Sequence, residues 1–479
     1  MHGAWTVEQI RDAEKRALEF NAESDLMDRA ATAVAVAAAR LLRERTGGVY
    51  GRRVAVLVGA GNNGGDALYA GAWLARQGAR VSAILLSPER AHPAGLDEFL
   101  EFGGHVVEAL PWSELIIDGI LGLGGRPGLQ DRAAKLAELI HEAQMPVVSV
   151  DLPSGIDVDT GAVPGPAIRA TTTVTMGGLK QGLLVGAGAD YAGDVRLVDL
   201  RFDLEPPALH VLDAQDVAGM LPVPGIADDK YTRGVVGVVA GSKEFPGAAV
   251  LCTGGAVHGG AGMVRYAGTA ADVVRNKWPE VVVHDDVAAS GRVQAWVVGP
   301  GIGTDDEASE SLSRVLYSEV PVLVDADGLT LLSSEWFDGV IQDRPYPTVV
   351  TPHDREFERL FGEIGDDRLS AARRAAAESG AIVLLKGNST IVATPDGMAY
   401  ANRTGTPWLG TAGSGDVLSG LIGAFLAGGV DAPLAAAAGA FVHGLAGQIA
   451  AASGPPSSVD VLGALRAAFN GLRSGDLKD

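Results

Sequence analysis

The sequence predicts an α/β protein with mostly parallel sheets, divided into two domains. Short apolar runs alternate with helical patterns along most of the chain, which is typical of βαβ units. Glycine accounts for 65 of 479 residues, about twice its ordinary share of about 7%. It falls between the apolar runs without a Gly-X-Y period, as tight turns and close backbone approaches require. The length, roughly three times that of a common domain, also favours two or three domains.

The first series of elements opens with a capping box at Thr6 and Gln9, which predicts the start of a helix. A second helical pattern covers residues 26–45, and the apolar run at 53–59 predicts a strand that leads into a helix over 67–77. The remaining elements of this half are strands predicted at 80–86, 115–120, 146–151, 171–176 and 195–200, and helices near 94–102 and 132–143. This half therefore predicts a mostly parallel sheet with helices packed on it.

A Pro-rich break separates the two halves. Pro206-Pro207 and the run Leu221–Gly225 bracket a short segment that is typical of a linker. The apolar stretch 417–452 near the end is interrupted by Asp431 and Pro433, so it predicts two buried, close-packed helices rather than a membrane span. Strands of the second half are predicted at 234–241, 295–299, 320–325, 348–351 and 381–386.

Charge and cysteine content narrow the class of function. Thirty-eight basic and 59 acidic residues give a net charge of −21, which argues against non-specific nucleic-acid binding and against docking on an anionic membrane. The single cysteine, Cys252, cannot form an internal disulfide or a thiolate zinc site. Residues 1–20 lack the apolar core of a signal peptide. We therefore expect a cytoplasmic protein with neither a nucleic-acid nor a membrane partner.

A Gly-Asn turn is the first candidate for function. The sequence GAGNNGGD (59–66) lies between a predicted strand and a predicted helix, where α/β sheets bind nucleotides. Its glycines allow backbone N–H groups to approach a phosphate. It matches neither the dinucleotide fingerprint nor a P-loop. A purely structural turn is the alternative.

Two aspartates end strands in the same half. Asp118 begins DGILGLGGRPG, and Asp151 begins DLPSG. Because the carboxyl ends of parallel strands meet at one sheet edge, Asn63, Asp118, Asp151 and Ser154 can converge. Such oxygen ligands with little charge suit a large monovalent cation such as K⁺. For either aspartate alone, a helix N-cap is the alternative.

The second half carries a turn typical of an anion hole. TAGSGD (411–416) precedes an apolar helix, whose free N–H groups and dipole stabilise negative charge. Phosphates would repel Asp416 unless it accepted the proton of an attacking hydroxyl. The alternative is again an N-cap. The other polar strand ends of this half are GPGIG (299–303), DADG (325–328), TPHDREF (351–357) and KGNST (386–390). His353 has no second histidine at metal-ligand spacing, so a zinc site is not expected.

Residues 1–205 resemble the epimerase domain of NAD(P)H-hydrate repair enzymes, through GAGNNGGD, DGILGLGGRPG and DLPSG in this order. The resemblance implies a Rossmann-like three-layer domain, a K⁺ site at Asn63, Asp118 and Ser154, and a catalytic role for Asp151. Ala60 and Ala67 replace the family's usual Pro and Gly. The substrate-binding residues that it implies are Asn62, Asn63, Gly64, Gly65, Asp66, Gly122, Leu123, Gly124, Gly125, Arg126, Pro127, Gly128 and Asp151.

Residues 212–475 resemble ribokinase-like proteins and, among them, the ADP-dependent NAD(P)H-hydrate dehydratases. The strand-end motifs above carry this resemblance, together with FPGAAVLCTGGAVHGGAG (245–262). It implies that Asp416 is catalytic. Ser414 stands where the family usually has Thr. The implied hydrate contacts are Ala248, Gly303, His353 and Asp416, and the implied nucleotide contacts are Lys386, Gly387, Asn388, Ser389, Thr390 and Gly415.

Together the two resemblances imply a bifunctional repair enzyme for hydrated nicotinamide cofactors, called NADHX and NADPHX. The first domain would interconvert the R and S hydrates, and the second would dehydrate the S form while ADP, with Mg²⁺, becomes AMP and phosphate. A homo-oligomer is also expected. Two alternatives remain: a vitamin or sugar kinase in the second half, and a non-catalytic nucleotide-binding or interaction module in the first. The missing dinucleotide fingerprint disfavours an oxidoreductase.

Overall fold

The computed structural model describes residues 1–20 and 22–476. Two compact units are present, Gly3–Ala208 and a second unit that runs from Leu209 onward together with Met1–His2. Each unit is an α/β fold with a mostly parallel sheet, as predicted.

The first unit contains a seven-stranded parallel sheet of order β4-β3-β2-β5-β6-β7-β9. A short parallel pair, β1 with β8, lies apart from it. The strands are β1 (His2–Trp5), β2 (Arg53–Val58), β3 (Arg80–Leu85), β4 (His105–Val106), β5 (Leu115–Gly119), β6 (Val147–Val150), β7 (Thr172–Met176), β8 (Leu179–Lys180) and β9 (Asp194–Val198). The helices are α1 (Val7–Leu18), α2 (Glu23–Thr46), α3 (Asn62–Arg76), α4 (Pro93–Glu101), α5 (Asp131–Glu142) and α6 (Gly188–Ala192).

Strand β2 shows why this unit has three layers. Val54 and Val56 pack in a core shared with α2 and α3. Ala55 and Leu57, which point to the opposite face of the strand, pack in a core shared with α5. Because both faces are covered, the strand is a continuous apolar run rather than an alternating one.

The described residues of the second unit form ten strands in the order β13-β12-β11-β14-β15-β16-β17-β18-β19-β10. Among these strands, the two ladders made by β18 are antiparallel and the others are parallel. The strands are β10 (Leu209–Val211), β11 (Val235–Val239), β12 (Met263–Ala267), β13 (Val282–His284), β14 (Ala295–Val298), β15 (Val322–Val324), β16 (Thr348–Val350), β17 (Ile382–Leu385), β18 (Thr390–Ala393) and β19 (Ala399–Asn402). The helices are α7 (Ala214–Met220), α8 (Pro246–His258), α9 (Ala271–Lys277), α10 (Asp306–Leu316), α11 (Asp327–Leu331), α12 (Ser334–Trp336), α13 (Asp354–Phe361), α14 (Arg368–Ser379), α15 (Ser414–Ala427), α16 (Ala432–Ala451) and α17 (Ser458–Ser474).

The predicted pair of buried helices at the end of the chain is confirmed. Helices α15 and α16 are almost wholly apolar and most of their residues are buried. Helix α16 is long and apolar enough to cross a membrane, but 72% of its most apolar window is buried inside the protein.

Two predictions about elements were wrong, and one short strand was not predicted. The helix expected over 67–77 already begins at Asn62, so the Gly-Asn turn forms its first turn. The segment read as a linker forms strand β10 and helix α7, and β10 pairs with β19 in the second unit. Strand β8 follows β7 after only two glycines, which concealed it.

Helices α8 and α15 pack closely where Gly420 of α15 faces Cys252 of α8. A methyl group on Gly420 would lie 1.9 Å from the carbonyl oxygen of Cys252, which is a backbone atom that cannot rotate away. We expect Gly420→Ala to lower the free energy of unfolding by about 1–3 kcal/mol. Chemical denaturation of the intact chain measures this change.

Gly463→Ala on α17 is the matched control. A methyl group there meets nothing within 4 Å, and alanine disfavours the unfolded chain, so stability should rise by about 0.5–1 kcal/mol. Unchanged unfolding of the Gly420→Ala protein would contradict the close packing of the two helices.

Candidate active sites

The strand ends of the first unit open into a cavity of about 840 Å³. Most of the residues predicted to bind substrate in this unit line it, whereas Gly64, Gly65 and Pro127 do not. The predicted residues along the cavity wall are Asn62, Asn63, Asp66, Gly122, Leu123, Gly124, Gly125, Arg126, Gly128 and Asp151.

Gly64 and Gly65 instead allow α3 to begin directly at the end of β2. A methyl group on Gly64 would lie 2.4 Å from the carbonyl oxygen of Gly59, and one on Gly65 would lie 2.9 Å from the His92 ring. Asn62, the first residue of the helix, donates its amide to Glu23 Oε1 at 2.7 Å. The free backbone N–H groups in the first turn of α3 therefore lie at the wall of the cavity.

Asp118 is fully buried at the end of β5 and binds the neighbouring strand end. Its carboxylate accepts hydrogen bonds from Ser149 Oγ at 2.8 Å and from Ser154 Oγ at 2.7 Å and N at 2.9 Å. The backbone N–H of Ile120 also donates to it, at 3.3 Å. Burial raises the pKa of Asp118, and these hydrogen bonds oppose the rise. The geometry excludes the helix-cap alternative, because its partners belong to strand ends.

Oxygen atoms that suit a monovalent cation gather beside Asp118. Ser154 Oγ accepts from the N–H of Leu121 at 2.9 Å, and a methyl group on Gly122 would lie 3.2 Å from the Asn63 side chain. The buried Asn63 Nδ2 has no hydrogen-bond partner among the residues that the structure describes, and a half-turn of the amide would present its oxygen there instead. One carboxylate with hydroxyl, amide and carbonyl oxygens fits K⁺ better than a transition metal.

Asp151 forms a buried ion pair that the sequence did not predict. Lys180 Nζ lies 2.5 Å from Asp151 Oδ1 and also donates to Thr175 Oγ1 and to the carbonyl of Met176. Asp151 has a φ of 66°, in the left-handed region that disfavours non-glycine residues. Such strain persists where surrounding contacts enforce it, which is common at functional sites. A lysine within the apolar, Gly-rich run that follows β7 was the available signal.

Two further acids face this pair. Burial, and then the charge of Asp151, raise the pKa values of Glu14 and Asp66, that of Asp66 well above its ordinary value. Glu14 lies on α1, whose Arg11 also donates to the carbonyl of Leu123 at 2.9 Å. Sequence reasoning missed Glu14, because nothing in an amphipathic helix marks which of its acids faces a cavity.

The second unit brings the Gly-rich turn and the predicted lysine together. A methyl group on Gly415 would lie 3.5 Å from Lys386 Nζ. Lys386 Nζ in turn lies 2.5 Å from Asp325 Oδ1, and Ser419 Oγ donates to Asp325 Oδ2 at 2.7 Å. Asp325 is buried and was not predicted as a site residue, although its position in DADG at a strand end was the signal.

Asp416 occupies the first turn of α15, whose N-cap is Gly413 with a φ of 86°. The N-cap alternative for Asp416 is therefore wrong. Burial first, and then the negative charge of Asp325, raise the pKa of Asp416 to about 7, although Lys386 opposes the rise. A carboxyl with a pKa near neutrality can exchange a proton under physiological conditions.

Ala248 lies in the first turn of α8, and Gly303 lies on the loop between β14 and α10. A methyl group on Gly301 would lie 2.7 Å from Ala248 Cβ, and the N–H of Gly303 donates to Asp327 Oδ2 at 2.9 Å. His353 has a structural contact of its own. It caps α13 through a capping box with Glu356, and 54% of its side chain is exposed.

Arg368 holds the KGNST segment in place. Its guanidinium makes two hydrogen bonds to Asp354, at 3.1 and 2.8 Å, and a third to the carbonyl of Lys386 at 2.9 Å. It also lies against Gly387, where a methyl group would be 2.8 Å from Nη2. Thr390 Oγ1 donates to the carbonyl of Gly387 at 3.3 Å. Among the described residues, no group of three His, Cys, Asp or Glu side chains is placed to hold a metal ion.

Comparison with known proteins identifies both halves. Residues 23–182 match the family model described as YjeF-related protein N-terminus, and residues 236–462 match the model described as NAD(P)H-hydrate dehydratase. A solved ribokinase-like protein from Enterococcus faecalis is 24% identical, with a TM-score of 0.50, and covers 56% of this chain and 98% of its own. A Bacillus subtilis ADP/ATP-dependent NAD(P)H-hydrate dehydratase, co-crystallised with ATP and Mg²⁺, is 26% identical with a TM-score of 0.49, and covers 54% of this chain and 97% of its own.

The similarity to curated relatives extends over nearly the whole chain. A bifunctional NAD(P)H-hydrate repair enzyme from Mycobacterium leprae is 51% identical over 96% of both chains. Those from Mycobacterium tuberculosis and Corynebacterium glutamicum are 51% and 37% identical, over 91% and 89% of this chain and 92% and 87% of theirs. The predicted Rossmann-like and ribokinase-like fold classes are confirmed, and the chain belongs to the family of bifunctional NAD(P)H-hydrate repair enzymes.

Proposed function

We propose that this chain repairs hydrated NADH and NADPH in two reactions. The second unit dehydrates the S hydrate while ADP becomes AMP and phosphate, and the first unit interconverts the R and S hydrates. The observation that carries the proposal is the placement of Lys386 beside Gly415 and Asp416 at the start of α15, where a methyl group on Gly415 would lie 3.5 Å from Lys386 Nζ. Relatives that are 51% identical carry the name of this activity.

Hydroxide is a poor leaving group at neutral pH. The hydroxyl on ring carbon six is therefore phosphorylated first, and phosphate leaves in its place. Asp416 accepts the proton of this hydroxyl as its oxygen attacks the terminal phosphorus of ADP, and AMP departs. The N–H groups at Gly413–Gly415 and the dipole of α15 stabilise the transferred phosphoryl group. The bond from carbon six to oxygen then breaks, phosphate leaves, and loss of a proton from carbon five restores NAD(P)H.

The remaining predicted contacts surround this step. Ala248, Gly303 and His353 contact the hydrate in the proposal, whereas Lys386–Thr390 and Gly415 hold the nucleotide. Asp325 and Asp327 offer the hard oxygen donors that Mg²⁺ prefers. Bound Mg²⁺ would offset the charge of the phosphates.

In the first unit, the hydrate binds in the cavity against the first turn of α3 and the loop Gly122–Gly128. Asn63, Asp118 and Ser154 would hold K⁺, whose charge would help to fix the loop that carries Leu121 and Gly122. Asp151, which Lys180 holds in place, assists reversible bond breakage at carbon six. The cytoplasmic location, the homo-oligomer and the lack of nucleic-acid and membrane partners stay predictions.

The direct test is consumption of purified S hydrate with ADP, with ATP or with neither nucleotide. We expect stoichiometric NAD(P)H, AMP and phosphate with ADP. A sugar or vitamin kinase would instead leave a stable phosphorylated alcohol and form no NAD(P)H. Conversion of R hydrate by the same preparation tests the epimerase, and failure of that conversion would favour a non-catalytic first unit.

Asp416→Asn tests the proposed base. Asparagine keeps the size of the side chain but cannot accept the proton, so dehydratase turnover should fall by at least about 10²-fold while ADP affinity changes little. Epimerisation should persist. Asp306→Asn is the matched control, because Asp306 also lies in the first turn of a helix but is exposed. Near-normal turnover of the Asp416→Asn enzyme would remove this residue from the mechanism.

The pH dependence of the dehydratase follows from the same carboxyl. A base must be ionised, and the pKa of Asp416 is raised to about 7. We therefore expect kcat/KM to increase about tenfold per pH unit below pH 7 and to level off above it. A profile that is flat through this range, measured with ADP saturating, would contradict the assignment.

Asp118→Asn tests the cation site. The substitution retains the shape of a buried side chain that holds Ser149 and Ser154, but it removes the charge. Epimerisation should need about 10–100-fold more K⁺ for half-maximal rate, at ionic strength held constant with tetramethylammonium. Dehydratase activity should be unchanged, and so should K⁺ activation of the Asp12→Asn control, whose carboxyl is exposed on α1. Unaltered K⁺ dependence in the Asp118→Asn enzyme would refute the site.

A further inference from the structure

One carboxyl in the cavity of the first unit has a buried oxygen without a hydrogen-bond partner among the described residues. Asp66 lines this cavity, and its buried Oδ1 has no hydrogen-bond partner among the residues that the structure describes. A buried polar atom without a partner costs free energy. Native proteins keep such atoms where a ligand, a water molecule or a catalytic role accounts for them.

The neighbouring Asp151, in contrast, has hydrogen-bond donors on its carboxyl. Asp151 Oδ1 accepts from Lys180 Nζ at 2.5 Å, from the N–H of Met176 at 3.2 Å and from Thr175 Oγ1 at 3.3 Å. Three donors therefore occupy this oxygen, whereas Asp66 Oδ1 has none among the described residues. Glu14 adds a further acid, so the described part of this cluster sets three carboxyls against one buried ammonium.

Because one ammonium compensates one carboxylate, the cluster favours retention of a proton. Burial, together with the charges of Asp151 and Glu14, raises the pKa of Asp66 well above its ordinary value. Asp66 in its neutral form has an O–H group, and Oδ1 has no acceptor among the residues that the structure describes. That donor lies at the wall of the cavity where the hydrate is proposed to bind.

We propose that Asp66 is the acid–base residue of the epimerase reaction, donating its proton to the hydroxyl on ring carbon six and recovering one when water adds to the other face. This inference rests on the proposed epimerase function and assigns the proton transfer within it. The role differs from substrate holding, which is all that the sequence implied for Asp66.

The Asp66 proton moves to the hydroxyl oxygen, the bond between carbon six and oxygen breaks, and water leaves while the lone pair of the ring nitrogen forms a double bond to carbon six. Water then adds to the opposite face, the double-bond electrons return to nitrogen, and the Asp66 carboxylate takes the released proton. The intermediate is a cation, which the Asp151 carboxylate stabilises across the cavity.

Asp66→Asn in the full-length chain tests the role. The amide can still hydrogen-bond the hydroxyl but cannot transfer a proton, so kcat for R-to-S conversion should fall by at least about 10²-fold. KM should change by less than about threefold, because binding contacts persist. Asp97→Asn on α4 makes the same chemical change at an exposed position of the same unit. It should leave both constants unaltered.

A second readout follows the bond that breaks. In water that carries the heavy oxygen isotope, wild-type enzyme should place one labelled oxygen on carbon six per epimerisation event, above the uncatalysed background. Product that keeps its original oxygen would overturn the proposed step. Wild-type kcat in the Asp66→Asn enzyme would overturn the acid–base role, and so would a raised KM with kcat retained.

These outcomes are distinct from failure of the proposed function itself. If wild-type enzyme does not interconvert the hydrates, the epimerase assignment fails before any variant is compared. The thermal midpoint and the dehydratase rate of each variant show whether the chain is folded. If Asp66→Asn does not fold, Asp66→Glu replaces it: restored ionisation on a longer side chain should retain more kcat than Asp66→Ala, and equal losses in both would count against proton transfer.

Discussion

Backbone contact at the ends of parallel strands is the constraint on which both sites depend. A methyl group on Gly59 would lie 1.8 Å from the carbonyl oxygen of Ile120, and one on Gly299 would lie 1.9 Å from that of Asp325. Neither position can carry a side chain while neighbouring strand ends stay this close. The glycines therefore let polar loops leave adjacent strands side by side, and this proximity brings distant acids and lysines within hydrogen-bonding range.

The same electrostatic arrangement arises in the two units. In each, a lysine lies 2.5 Å from an aspartate that follows a strand, as in Lys180 with Asp151 and Lys386 with Asp325. A second carboxyl nearby, Asp66 or Asp416, shares the burial without sharing the ion pair, and its pKa is raised. One ammonium can compensate the charge of one carboxylate. Burial of the second carboxylate is therefore uncompensated, and its pKa rises. Packing thus raises the proton affinity of the two carboxyls that transfer protons in the proposed reactions.

The sequence predicted the parallel sheets and the polar strand ends, because apolar runs and the residues after them are local features. It did not predict Lys180, whose role depends on a two-residue strand that brings it beside Asp151. Glu14 was missed for a similar reason, since only tertiary packing turns one acid of α1 toward the cavity. The early start of α3 was concealed by its glycines, which disfavour helices in isolation but permit close packing here. Local pattern therefore predicted which strand ends carry polar groups, and long-range contacts determine which other side chains lie beside them.

The two lysines differ in a way that separates the proposed chemistries. The Lys180 side chain is 1% exposed and donates to a hydroxyl and a carbonyl as well as to Asp151. It is therefore engaged in holding that carboxylate and cannot reach a phosphate. The Lys386 side chain is 22% exposed and lies against the free N–H groups at the start of α15. In the proposed reactions, a partly exposed ammonium beside a helix N-terminus suits a transferred phosphoryl group, whereas a buried ammonium holds the carboxylate beside which a cationic intermediate would form. The different exposure of the two lysines therefore matches the proposed group transfer in one unit and the proposed reversible bond breakage in the other.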